Sequence, residues 1–183
     1  MQNQALSKTL SYVLRHKPEE LGLHLDAQGW VSVTALLQAL QARHPEVTLE
    51  QLHEVVATND KKRFAFSEDE QLIRANQGHS LAVDLALEAV PPPEVLYHGT
   101  ATRFLSSIRA SGLQRGTRQY VHLSPDPETA TAVGQRHGCP VVLTVHAGEL
   151  HRAGAAFYIA ENGVWLTLTV PPEFIGAEGL SAS

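Results

Sequence analysis

The sequence predicts an α+β protein in which a winged-helix lobe precedes a second lobe of short β-strands and helices. Three helical stretches followed by two short β segments give the order of a winged helix. Pro91-Pro92-Pro93 is a stiff stretch that cannot continue a helix. Beyond it, short apolar β runs alternate with helical stretches. We therefore assign residues 1–90 to the first lobe, 91–176 to the second and 177–183 to a tail.

Composition and net charge indicate which kinds of protein this chain can be. A chain of 183 residues with 43% apolar and 18% charged residues is ordinary for a globular protein of one or two domains. The net charge of −5 argues against non-specific nucleic-acid binding, but it allows a local cationic site. No apolar run could span a bilayer and no signal pattern opens the chain, so we expect a cytoplasmic protein.

Cysteine and histidine usage gives no sign of a metal site. The lone Cys139 cannot form an internal disulfide, and we interpret it as a packing residue. The ten histidines show none of the spacings typical of zinc sites. We therefore predict no metal.

The helices of the first lobe follow from apolar periodicity and caps. Apolar residues at helical spacing predict a first helix from about residue 4 to 17, stopped by Pro18. Ser32 caps a second helix, and Thr48 with Gln51 reads as a capping box that opens a third. The predicted β segments are Trp30-Val31, Arg63 to Phe66 and Leu72 to Arg74.

The remaining elements lead into and fill the second lobe. Residues 81–90 are mostly apolar and are predicted to be helical. Asn162-Gly163 is a tight-turn signal between two strands. The other predictions are strands 95–98, 120–123, 141–146, 157–160 and 164–170, a helix over 103–111, and a helix that starts after Pro127 and ends at Gly138.

Two cationic stretches in the first lobe could hold a phosphate. Arg15 and His16 lie in the last turn of the first helix, where they could also merely complement the helix dipole, worth ~0.3–1 kcal/mol. Lys61, Lys62 and Arg63 form the most concentrated positive run of the chain. Strand alternation directs Arg63 away from the face that buries Phe64 and Phe66, although such a cation is usually just solvated.

In the second lobe, polar residues follow two strand ends. Tyr97-His98-Gly99-Thr100 ends one strand, and Val121-His122-Leu123-Ser124 ends another just before a helix. The loop before the second strand carries Arg115 and Arg118. Taken alone, the first stretch is compatible with an ordinary tight turn and His122 with a strand-end histidine of no function.

Taken together, these motifs resemble those of the RNA 2'-phosphotransferase family, and the resemblance runs from about Leu6 to Phe174. The motifs that carry it are Leu14-Arg15-His16-Lys17-Pro18, Leu25-Asp26 with Gly29-Trp30-Val31, Lys62-Arg63-Phe64, Arg74-Ala75-Asn76-Gln77-Gly78-His79-Ser80, Tyr97-His98-Gly99-Thr100, Val121-His122-Leu123-Ser124 and Asn162-Gly163-Val164-Trp165-Leu166-Thr167. So many short motifs in one order are far more specific than any single one.

The resemblance implies a winged-helix RNA lobe followed by an ADP-ribosyltransferase-like lobe that binds NAD⁺ as co-substrate. It implies a catalytic quartet of Arg15, His16, Arg63 and Arg118. The histidine-tyrosine-glutamate triad of ADP-ribosyltransferases would correspond to His98, His122 and Val164, and valine cannot replace the carboxylate of that glutamate. The remaining cofactor-binding residues would be Gly99, Thr100, Leu123 and Ser124.

The resemblance also implies a two-step removal of an internal 2'-phosphate from RNA. ADP-ribose is first transferred to the phosphate with loss of nicotinamide, and transesterification then yields 2'-hydroxyl RNA and ADP-ribose 1″,2″-cyclic phosphate. Lys62, Gln77 and His79 are further expected RNA contacts, although the last two could equally belong to a structural loop. We expect a monomer whose lobes face each other. Rival interpretations are an ADP-ribosyltransferase that modifies nucleic-acid phosphate ends and a non-catalytic winged-helix nucleic-acid binder.

Overall fold

The computed structural model describes residues 1–176 and divides into two compact units after Ala86. The predicted lobe boundary lies close by, after Val90, and the predicted tail, 177–183, lies outside the described residues. Helices and small antiparallel sheets are both present, so the α+β prediction is confirmed. No helix within residues 1–176 is long and apolar enough to cross a membrane.

The first unit has three α-helices and a three-stranded antiparallel sheet of strand order β1-β3-β2. A 3₁₀ turn follows the first helix because Pro18 has no amide hydrogen to continue it. The elements are α1 (Asn3–Arg15), β1 (Val31–Ser32), α2 (Val33–Gln41), α3 (Leu49–Ala57), β2 (Phe64–Phe66) and β3 (Leu72–Ala75).

Caps and apolar periodicity explain these helices. The Ser32 side chain accepts a hydrogen bond from the Ala35 amide at 3.3 Å, as expected of an N-cap. Thr48 accepts one from the Gln51 amide at 3.2 Å. The predicted capping box is only half formed, because the Gln51 side-chain amide donates to Asn3 Oδ1 at 2.9 Å instead of returning to Thr48. The helices pack their apolar faces into one core that also contains Phe64 and Ile73.

The helix predicted over residues 81–90 is wrong, because this segment is extended and irregular. Its larger apolar side chains recur every second residue, and Val83 and Leu85 are buried while Asp84 between them is exposed. That alternation is typical of extended chain. At its start the Asp84 amide donates to the Ala27 carbonyl at 2.7 Å.

Up to residue 176, the second unit contains three α-helices, three short 3₁₀ helices, two two-stranded antiparallel sheets and one three-stranded antiparallel sheet. Strand β4 pairs with β7, β9 lies between β6 and β8, and β10 pairs with β5. The elements are β4 (Leu96–Ala101), α4 (Leu105–Ser111), β5 (Leu113–Gln114), β6 (Val121–Leu123), α5 (Pro127–Gly134), β7 (Pro140–Val145), α6 (Ala147–Arg152), β8 (Tyr158–Ile159), β9 (Trp165–Thr167) and β10 (Thr169–Val170).

Two expectations for this unit need correction. The single strand predicted over 164–170 is split at Leu168, which is 60% exposed, and the pieces on either side join different sheets. Cys139, interpreted from sequence as a packing residue, is exposed. The core lies elsewhere, around Leu96, Leu143 and Phe157.

Candidate functional site

Arg15 and His16 lie at the carboxyl end of α1, as the sequence predicts. Arg15 is the last helical residue, and the His16 amide donates to the Tyr12 carbonyl at 3.0 Å. Both side chains are half-buried. Positive groups are favoured at this end of a helix because it carries the negative end of the backbone dipole. The same position makes them available to an anion.

The segment Gln77–Ser80 lies against this helix end. The Ser80 amide donates to the Arg15 carbonyl at 3.0 Å, and the Ser80 hydroxyl is 2.9 Å from His16 Nδ1. Arg15 also reaches Gln77 Oε1 at 3.5 Å, a long contact. Gln77 is therefore close to the predicted phosphate-binding pair, and its role in RNA binding stays a prediction. Ser80, which sequence reasoning gave no role, has direct contacts with both residues of the pair.

His79 is buried beneath this segment. Its side chain is 1% exposed, and neither ring nitrogen has a hydrogen-bond partner among the described residues. Burial, followed by the positive charges of Arg15 and Arg74, lowers the pKa of His79 to about 4. The imidazole is therefore neutral at pH 7. A direct RNA contact by His79 stays a prediction and would require its side chain to become accessible.

Lys62 and Arg63 precede β2 on a backbone fixed by two asparagines. The Arg63 amide donates to Asn59 Oδ1 at 3.3 Å, and the Asn76 amide donates to the Arg63 carbonyl at 2.9 Å. Lys62 is exposed with a left-handed φ of 41°, whereas Arg63 is half-buried. The sheet places these cations in the same unit as Arg15 and His16, and their roles in phosphate and RNA binding stay predictions.

A cation–π pair in this unit was missed from sequence. The Arg74 guanidinium lies 4.4 Å from the centre of the Trp30 ring. Trp30 directly precedes β1 and Arg74 lies on β3, and these two strands pair. Knowing that register would have predicted the contact, but the sequence alone does not give it.

In the second unit, His98 and Gly99 lie within β4. Tyr97 and Ser124 exchange two backbone hydrogen bonds, of 2.9 and 2.7 Å. Among the described residues, this bridge does not extend into a longer ladder between β4 and β6. At the next residue of β4, His98 Nδ1 lies 2.9 Å from the His122 carbonyl, so a side chain of β4 bonds the backbone of β6. Burial lowers the pKa of His98, which favours its neutral form.

Gly99 has its backbone polar groups at this interrupted edge. Alternate residues of a strand direct their amide and carbonyl groups to the same side, so Gly99 faces the side on which Tyr97 bonds Ser124. Packing explains the missing side chain. A Cβ on Gly99 would lie 1.6 Å from the Ala130 carbonyl oxygen, so glycine allows α5 to pack directly on β4.

Arg118 and His122 contact each other. Arg118 Nη1 is 3.0 Å from His122 Nδ1. Because a guanidinium can only donate, Nδ1 accepts and the remaining proton of a neutral His122 is on Nε2. Arg115 contacts the Arg118 carbonyl at 3.5 Å. The loop arginine and the strand-end histidine therefore form one group of side chains.

The other predicted cofactor residues lie on or next to strands β4, β6 and β9. Thr100 and Leu123 are buried, at 5% and 1% exposure. Ser124 and Val164 are half-buried, and Val164 directly precedes β9, the partner of β6. No cluster of three or more metal-ligating side chains occurs within residues 1–176. Cofactor binding by these residues stays a prediction.

The first unit has cationic side chains at the end of α1, and the second unit has an interrupted strand edge flanked by histidines. The family model described as RNA 2'-phosphotransferase, Tpt1 / KptA family, matches residues 1–169. The chain belongs to this family.

Similar proteins from distant bacteria agree with this assignment. A protein of Agrobacterium fabrum is 56% identical over 171 residues, covering 93% of this chain and 92% of its own. One from Burkholderia lata is 54% identical over 171 residues, with 93% and 88% covered. One from Shigella boydii serotype 18 is 53% identical over 170 residues, with 92% of each chain covered. Each is named "Probable RNA 2'-phosphotransferase".

Proposed function

We propose that this protein removes an internal 2'-phosphate from RNA with NAD⁺ as co-substrate. Family membership supports the RNA phosphate as substrate. The observation that carries the NAD⁺ proposal is the interrupted edge of β4, where the Gly99 backbone lies beside His98 and His122. The Gly99 amide and carbonyl on this strand edge would match the carboxamide of nicotinamide, which has one donor group and one acceptor.

The two histidines would orient the ribose and the nicotinamide of the dinucleotide. His98, held by its Nδ1 contact with the His122 carbonyl, would bond a ribose hydroxyl through Nε2. The His122 ring would lie against nicotinamide. Thr100, Leu123, Ser124 and Val164 would complete the binding surface, and valine at 164 leaves the surface without a carboxylate that would repel a phosphate dianion. This arrangement agrees with an ADP-ribosyltransferase-like second unit.

The first unit would bind the RNA. Its three helices and its antiparallel strands agree with a winged-helix lobe, with Lys62, Gln77 and His79 as candidate RNA contacts. Arg15, His16 and Arg63 would hold the 2'-phosphate, and Arg118 is the fourth proposed catalytic residue. Arginine suits the task because its planar fork can donate to two phosphate oxygens and keeps its charge at any working pH.

The first step needs positioning more than acid–base chemistry. A phosphate oxygen attacks the ribose carbon that bears nicotinamide, the carbon–nitrogen bond breaks, and neutral nicotinamide leaves with the bonding electrons. A phosphate dianion is already a nucleophile, so no protein base is required. The contribution of the protein is to hold the reacting atoms in line.

The second step collects charge on the phosphoryl oxygens. The 2″-hydroxyl attacks phosphorus and loses its proton, the bond to the RNA 2'-oxygen breaks, and that oxygen takes a proton. Fixed cations stabilise this transition state. His16 would either move a proton in this step or bind the phosphate, and both roles suit an imidazole at neutral pH.

Product analysis tests the proposal. The protein is incubated with NAD⁺ and an oligonucleotide carrying one internal 2'-phosphate, with the unphosphorylated oligonucleotide and a reaction lacking NAD⁺ as controls. We expect nicotinamide, 2'-hydroxyl RNA and ADP-ribose 1″,2″-cyclic phosphate. A stable ADP-ribosylated RNA as the only product would instead indicate an ADP-ribosyltransferase of phosphate groups. Absence of nicotinamide release would indicate a non-catalytic nucleic-acid binder.

Substitutions then test the quartet. Each of Arg15→Ala, Arg63→Ala and Arg118→Ala should slow phosphate removal by roughly 10²–10³-fold, as loss of one fixed donor to a developing charge typically does. Arg152→Ala is the matched control, because Arg152 is exposed and pairs with Glu94 at 2.7 Å on the surface. It should keep normal turnover. Accumulation of ADP-ribosylated RNA in a variant assigns that arginine to the second step, and normal turnover in all three would disprove the quartet.

A further inference from the structure

We propose that Ser80 is a positioning residue for His16, and that the segment Gln77–Ser80 holds the Arg15–His16 pair in the geometry needed for the RNA phosphate. This inference rests on the proposed function of that pair. It adds a residue that would act through His16 and has no contact of its own with the reacting atoms.

The hydroxyl of Ser80 fixes which ring nitrogen of His16 faces a ligand. Ser80 Oγ and His16 Nδ1 are 2.9 Å apart, a hydrogen-bond distance. With Nδ1 against the hydroxyl, Nε2 is the nitrogen that would face a phosphate oxygen. The ring also loses freedom to rotate. In histidine sites, the partner of one nitrogen commonly determines the state and direction of the other.

The backbone places Ser80 at this position. The last carbonyls of an α-helix have no partner within the helix, and the Ser80 amide meets this need by donating to the Arg15 carbonyl at 3.0 Å. The bond connects the segment to the end of α1 one residue before His16. Ser80 is therefore bonded to two neighbouring residues, to Arg15 through its backbone amide and to His16 through its hydroxyl.

Gly78 brings the same segment close to the Arg15 side chain. Its φ is +89°, a conformation that other residues rarely adopt. A Cβ at this position would be in van der Waals contact with Arg15, 3.4 Å from Nε and 3.5 Å from Cζ, so this backbone lies directly beside the guanidinium. The next residue, His79, is buried in the unit and keeps the segment in place. Ser80 itself is exposed, so its hydroxyl is dispensable for the core.

The test compares three variants with the wild-type chain. Ser80→Ala removes the hydroxyl, and Ser80→Thr keeps it. Thr9→Ala is the control, because Thr9 lies on the same helix and its exposed hydroxyl donates to the Ala5 carbonyl at 3.1 Å, one turn earlier on that helix. Turnover with NAD⁺ and the 2'-phosphorylated oligonucleotide is measured for each. Separately, ring ¹⁵N signals of His16 are recorded in the protein without ligand, and His16→Gln assigns them.

We expect Ser80→Ala to lower kcat by about 10- to 100-fold, the usual effect of a small misplacement of a reacting group, with a smaller change in KM. Ser80→Thr should restore turnover, and Thr9→Ala should leave it unchanged. The His16 ring signals should shift in Ser80→Ala only, while the melting temperature stays near that of the wild type.

Each other outcome has a definite meaning. Unchanged His16 signals in Ser80→Ala would disprove the contact whatever the activity. Shifted signals with normal turnover would show that the contact exists without a positioning role, which overturns the inference and leaves the proposed function intact. A wild-type protein that releases no 2'-hydroxyl RNA would overturn the proposed function, and this inference with it.

Discussion

Replacing Gly99 with alanine should destabilise the second unit strongly. The new Cβ would lie 1.6 Å from the Ala130 carbonyl oxygen and 2.6 Å from its carbon. Both atoms belong to the backbone of α5, so no side-chain rotation can relieve the clash, and the helix must move away from β4. Forced overpacking of this kind costs typically 1–3 kcal/mol and occasionally more. Because the obstacle is backbone, we expect about 3 kcal/mol or more.

Thermal unfolding followed by circular dichroism measures this effect. A loss of 1 kcal/mol lowers the Tm of a domain of about 100 residues by roughly 4–8 °C, so Gly99→Ala should lower Tm by about 12 °C or more. The control is Gly116→Ala, since a Cβ there meets nothing within 4 Å. Its left-handed φ of 61° should cost only about 1–2 kcal/mol. If Gly99→Ala melted as late as the control, the close packing of α5 on β4 would be wrong.

Two further predictions concern the first unit. The pKa of His79 is lowered from 6.5 to about 4, so between these pH values the unfolded chain binds a proton that folded His79 does not. The free energy of unfolding should therefore fall by about 3 kcal/mol as pH drops through this window. The contribution of neutral His79 is fully present above pH 6.5. Urea unfolding of wild type and His79→Leu at pH 7 and 4.5 checks this, because the variant should lose less stability on acidification. Thr48→Ala removes the N-cap of α3 and should cost about 1 kcal/mol; an unchanged urea midpoint would show that the cap contributes nothing.

The sequence predicts best where local signals decide the structure. α1, α2 and α3 were recognisable because each has a strong apolar stripe, and two begin at a side-chain cap. The helix prediction for residues 81–90 is wrong because it rests on the apolar content of the segment, whereas the larger apolar residues recur every second position, as in extended chain. Leu168 was placed inside a strand because it is apolar, although its exposure of 60% marks the point where the chain changes sheets.

The site was predictable as a set of residues but not as a set of contacts. Arg15, His16, His98 and His122 stand out in short motifs. Their partners do not, because Ser80 is 64 positions from the histidine it contacts, and the Arg74–Trp30 pair depends on strand register. Gly99 stands in one of these motifs and its cofactor role stays a prediction, whereas its packing against α5 does not follow from the sequence.

The buried histidines bear on how charge is balanced at the proposed site. The second pKa of a phosphate monoester is about 6, so the substrate gains its second negative charge as pH rises towards 7. The pKa of His79 is held near 4, and burial lowers that of His98 as well. His79 would therefore keep its charge state over the range in which the substrate ionises, and the lowered pKa of His98 favours its neutral form there. Within the proposed quartet, compensation of the dianion would then depend on His16 and on the arginines, whose charge is constant, so replacing an arginine should lower activity throughout this pH range.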